Sequence, residues 1–149
     1  MRHRLHDFSN GFILVQSDAQ YYRFHMQEYS WLLPINLTHE DTPSGEQIAQ
    51  WIASGLGAHF HQQPLLVFCE DGQHKSVTVS ALIQAIAEQR PFRAVVDEYH
   101  KELLLEEPPH DWFPYAHWDE VIMVYLQQHY PHLAATTEPK TISTQYPLT

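Results

Sequence analysis

The chain has 149 residues, 44% of them hydrophobic and 17% charged, which suits one domain with a buried core and excludes wholesale disorder. Its formal charge of −10, from 18 acidic and 8 scattered basic residues, excludes a nucleic-acid surface, which needs clustered Lys and Arg. No apolar run approaches a membrane span, and the basic start Met1-Arg-His-Arg-Leu-His6 leads into polar residues, so a soluble cytoplasmic protein with no membrane partner is expected.

In chain order, Gly11-Phe-Ile-Leu-Val-Gln16 reads as a short buried strand between Ser9-Asn10 and Ser17-Asp18. Asp18 is placed to cap a helix running to about Tyr29, with Tyr21, Tyr22, Phe24 and Met26 as its apolar surface. Trp31-Leu-Leu-Pro-Ile-Asn-Leu37 reads as a second strand, and its internal proline suggests an edge position or a strand that frays there. After the polar stretch Thr38 to Ser44, Ser44 and Gln47 have the spacing of a capping box. The helix they open carries Ile48, Ala49, Trp51, Ile52 and Leu56, then meets Gly55 and Gly57.

Leu65-Leu-Val-Phe68 is wholly apolar, as expected of a central parallel strand covered on both faces. Beyond Cys69 and its polar loop, Val77 to Ile86 is apolar almost all round and predicts a helix buried in the core. Pro91 suits the first position of a helix over Phe92 to about Leu105, ended by Glu106-Glu-Pro-Pro109. A last helix spans about Trp118 to Tyr130, and Pro131 stops it. Residues 1–133 are expected to form the domain, and the Thr- and Pro-rich residues 134–149 a loose tail. The alternation implies an α/β fold with a small, mainly parallel sheet flanked by helices. In such sheets ligands sit beyond the carboxyl ends of the strands, where Cys69 stands.

Cys69 is the single cysteine, so no disulfide forms within the chain. Its neighbours match the demands of thiol attack on a phosphate monoester. The nucleophile must be a thiolate near neutral pH, below the roughly 8.5 of a free thiol. A loop of inward N–H groups running into a helix start favours that anion and binds phosphoryl oxygens as well. Gly72 stands where the backbone turns tightly, Lys75 where a cation meets the equatorial oxygens, and Ser76 where a hydroxyl meets the sulfur.

Phe68-Cys-Glu-Asp-Gly-Gln-His-Lys-Ser76 resembles the H-C-x-x-G-x-x-R-[S/T] signature of protein tyrosine and dual-specificity phosphatases. Cys69, Gly72 and Ser76 match in identity and spacing, and similarity of arrangement covers about Trp31 to Tyr130. The resemblance implies a phosphatase-like fold and a phosphate cradle from Glu70, Asp71, Gly72, Gln73, His74 and Lys75. It implies catalysis by Cys69, Lys75 and Ser76, a phosphorylated substrate or ligand as partner, and no metal or other cofactor. Two positions depart from the family. Lys75 replaces arginine, exchanging a planar fork for a point charge, and Phe68 replaces the histidine before the cysteine.

The family also protonates the leaving oxygen from an aspartic acid on a separate loop. Asp41, 28 residues before Cys69, fits that interval; it equally fits a solvated turn before a helix, and Glu40 is a substitute acid. His59-Phe-His61 offers two imidazoles without a recognisable third ligand, and reads as surface. The aromatic run Asp111 to Trp118 reads as a structural plug between the last helices, or else as a wall beside the pocket.

Three readings follow. A cysteine-dependent phosphatase turns over an aryl phosphate, and a pseudophosphatase binds phosphate or vanadate without turnover. A rhodanese-type sulfurtransferase carries a persulfide on Cys69 instead.

Overall fold

Leu65, Leu66 and Val67 are fully inaccessible, which requires apolar cover on both faces of their strand. The computed structural model describes residues 3–8, 11–37, 41–70, 75–106 and 116–134 and shows that cover. Strands β1 (His3–Asp7), β2 (Ile13–Ser17), β3 (Trp31–Pro34) and β4 (Leu65–Phe68) form one sheet in the order β1-β2-β4-β3. The central β4 runs parallel to β2 and β3, and β1 pairs antiparallel with β2. Helices α1 (Ala19–His25), α2 (Gly45–Phe60), α3 (Lys75–Glu88), α4 (Phe92–Glu106) and α5 (Ala116–His129) flank it. The fold is thus α/β with a mixed, mostly parallel sheet. No helix among the described residues is long and apolar enough to cross a membrane.

Side chains alternate between the two faces of a strand. Leu14, Leu33, Leu65 and Val67 enter the main core beneath α2 to α5, while Val15 and Leu66 pack with Tyr21 of α1 on the other face. Pro34 lies on the edge strand, where its missing N–H leaves no ladder bond unmade. Helix α3 is buried from Ser76 to Ile83, as its all-round apolar pattern predicts.

Local signals set most helix starts. The Asp18 carboxylate accepts from the Tyr21 amide at 2.8 Å and opens α1. That helix passes into a single 3-10 turn, Met26–Glu28, short of Tyr29, whose backbone is extended. Ser44 and Gln47 close a reciprocal capping box at 3.1 and 2.8 Å. Pro91 stands one position before α4, its carbonyl accepting from Ala94 and Val95, and α5 begins two residues ahead of Trp118.

Helix α2 does not stop at Gly55 or Gly57, and both mark places where another element comes too close for a side chain. A Cβ on Gly55 would lie 2.5 Å from Ile83 Cγ2, and one on Gly57 would lie 2.9 Å from the Trp31 ring. Gly55→Ala is therefore expected to destabilise the protein. Overpacking costs about 1–3 kcal/mol against about 1 kcal/mol of regained helix propensity. Urea denaturation checks this, and a raised midpoint would refute the close α2–α3 approach.

Strand β1 was not foreseen from periodicity. His3-Arg-Leu-His-Asp7 holds one apolar residue, Leu5, and that side chain is 64% exposed. The available signal was Asn10-Gly11 just before an apolar run, a strong hairpin indicator. Gly11 has φ +86° and its amide donates to the Phe8 carbonyl at 3.0 Å.

The carboxyl-terminal helices are tied together by an ion pair, Arg93 Nη2 to Asp119 Oδ2 at 2.7 Å. Burial pushes the Asp119 carboxyl above its ordinary range, against the pull of Arg93. The single turn Pro131–Ala134 buries Leu133. Residues 135–149, most of the expected tail, lie outside the described residues.

Candidate functional site

Cys69 follows the last residue of β4, at the carboxyl end of the parallel strands. Backbone bonds fix that exit. The Cys69 amide donates to the Ser17 carbonyl at 3.3 Å, the Ile35 amide to the Phe68 carbonyl at 2.9 Å, and the Ala19 amide to the Glu70 carbonyl at 3.2 Å. Neighbouring segments therefore hold the backbone around Cys69 from both sides before the chain enters its loop.

The sulfur meets the first turn of α3. The Ser76 amide donates to Cys69 Sγ at 3.4 Å, and Sγ and the Ser76 hydroxyl stand 3.1 Å apart. The free N–H groups and positive dipole end of a helix attract anions. Ser76 is itself wholly buried, so its hydroxyl needs partners within the protein. Gln16 Nε2 supplies one at 2.8 Å and the Ser17 carbonyl another at 3.5 Å.

Cys69 is 3% exposed, yet it lines a cleft of about 410 Å³ with Phe68, Glu70, Lys75, Ile35 and Leu37. That volume lies within the range of small-molecule sites. Sequence reasoning placed a nucleophile, a cation and a hydroxyl at 69, 75 and 76, and the fold brings the three together. Lys75, the first residue of α3, is half-buried at the cleft, beside Cys69 and Ser76. Asp71, Gly72, Gln73 and His74 lie outside the described residues, as does the substitute acid Glu40.

Asp41 does not line this cleft. Its residue is exposed ahead of α2, and its carbonyl accepts from Trp118 Nε1 at 2.8 Å. Phe68, at the family's histidine position, stacks on Tyr22 of α1 at 3.9 Å between centroids and 11° between planes. Apolar packing thus holds the strand end there. His59 packs against Phe12 and His61 against Trp31. Among the described residues no three His, Cys, Asp or Glu side chains gather as metal ligands. Of the aromatic run, residues 111–115 lie outside the described set.

Two residues near the sulfur escaped sequence reasoning. Gln16 is wholly buried, and Arg4 Nη1 donates to its Oε1 at 3.0 Å. A signal for Gln16 existed: it shares the parity of Leu14, hence the core face, at the strand end where ligands sit. Arg4 had none, because its place depends on β1. No protein-family model matches the chain, and no curated protein matches it.

Proposed function

We propose that the protein is a phosphatase-like cysteine-dependent phosphomonoesterase of low turnover. The observation that carries this reading is the sulfur at a parallel-strand terminus, facing the amide and hydroxyl of Ser76 with Lys75 in the same cleft. In this scheme the Cys69 thiolate attacks phosphorus, an S–P bond forms and the P–O bond to the leaving group breaks. The leaving oxygen takes a proton from the Asp41 carboxyl, which must move in from its exposed place outside the cleft once substrate is bound. Water then attacks phosphorus, the S–P bond breaks with its electron pair returning to sulfur, and the water proton passes to the Asp41 carboxylate. Loop N–H groups and Lys75 carry the charge of the transferring group, and Ser76 eases the return of the thiolate.

A generic aryl phosphate is the test substrate. Turnover, with an acid-quenched phosphocysteine on the single cysteine, is expected and disappears in Cys69→Ser. Lys75 also favours a second reading, because a point charge binds an oxyanion in the ground state without matching the transition state. Under that reading there is no turnover, but vanadate binds saturably and Lys75→Ala weakens it.

A further inference from the structure

We infer that Gln16, clamped by Arg4, is a positioning residue that turns the Ser76 hydroxyl proton onto the Cys69 thiolate; its use rests on the phosphatase reading, its measurement does not. The amide orientation follows from chemistry. Arginine only donates, so the atom facing Arg4 Nη1 at 3.0 Å is the amide oxygen, and the NH₂ faces Ser76 Oγ at 2.8 Å. Gln16 and Ser76 are both wholly buried, so no water competes for these positions.

A hydroxyl has one proton and accepts at two lone pairs. The Gln16 N–H occupies one lone pair, which leaves one proton and one lone pair for two neighbours, Cys69 Sγ at 3.1 Å and the Ser17 carbonyl at 3.5 Å. With a thiol, S–H donates to the hydroxyl and the hydroxyl proton turns to the Ser17 carbonyl. With a thiolate, the hydroxyl proton turns to the nearer sulfur. The Ser17 carbonyl still accepts from the Cys69 amide at 3.3 Å, so it is not stranded. The hydroxyl proton has an acceptor in both protonation states, and the change between them is one hydroxyl rotation. In the thiolate state the bonds run head to tail from the Arg4 cation through amide and hydroxyl to sulfur, and each polarises the next.

The test is the pH profile of iodoacetamide alkylation, which reads this sulfur alone because the chain has one cysteine. Gln16→Met keeps length and volume without donors. It is expected to move the profile's midpoint upward by about one pH unit, roughly tenfold slower alkylation on the acidic limb. Ser76→Ala moves it the same way, and Gln16→Met/Ser76→Ala moves it no further than Ser76→Ala alone, since one pathway is cut in both. Arg4→Met, on the partly exposed edge strand, gives a smaller upward shift and covers the case in which Gln16→Met fails to fold. Unchanged midpoints in Gln16→Met or Arg4→Met, with native circular dichroism, overturn the inference, as do additive shifts in the double variant. Absence of aryl phosphate turnover alongside these shifts would instead overturn the phosphatase reading alone.

Discussion

Lys75→Arg is expected to raise kcat for an aryl phosphate by about 10²–10³-fold, with KM little changed. A guanidinium presents two parallel donors to two equatorial oxygens, whereas an ammonium offers one compact charge. One strong transition-state hydrogen bond is worth about 2.7–4 kcal/mol. Because the gain comes as the phosphoryl group flattens between sulfur and leaving oxygen, it appears in kcat. The site has room for the exchange: Lys75 is half-buried and lines an open cleft of about 410 Å³. Steady-state kinetics on the two proteins decides it. An unchanged or lower kcat would mean that the residue at 75 does not touch the transferring group, and the assignment of its role would fall.

The second large effect is on stability. Trp118→Ala is expected to cost about 3–5 kcal/mol, as for other buried Trp and Phe truncations. Trp118 is wholly inaccessible, stacks on Trp51 of α2 with ring centroids 5.6 Å apart, and donates to the Asp41 carbonyl. Truncation therefore opens a cavity between α2 and α5 and frees the segment ahead of α2. Guanidinium denaturation measures the first consequence, and a loss under 1 kcal/mol would contradict the packing described. Trp118→Phe separates the second, since it keeps an aromatic ring and removes the indole donor. Under the proposed mechanism it slows alkyl phosphates, whose poor leaving oxygens depend fully on the Asp41 proton, more than aryl phosphates, whose better leaving groups depend on it less. Equal slowing of both classes would detach Asp41 from the acid's role.

Much of the scaffold was legible because its signals are local. The Ser44–Gln47 capping box and the Asp18 cap each act within one helical turn, so spacing alone predicts them. The apolar run Leu65 to Phe68 signalled a strand covered on both faces, and a proline in Trp31 to Leu37 signalled an edge or a fraying strand, of which the sheet order shows the edge. The limits of such reading show at Gly55 and Gly57. In isolation they read as the end of a helix, and only the approach of Ile83 and Trp31 shows why the helix continues with no side chain there.

Candidate site residues divide along the same line. Residue order alone placed Cys69, Lys75 and Ser76 about one strand end and one helix start, since a chain leaving a strand for a helix keeps residues seven apart within reach. Three-dimensional packing decided everything that joins distant segments: Arg4 to Gln16 across the β1–β2 pair, Gln16 to Ser76 across 60 residues, and Asp41 to Trp118 across 77. Local propensities and caps are settled within a few residues of backbone. Which buried polar group meets which depends on strand order and register, and these are selected by burial of the whole core at once.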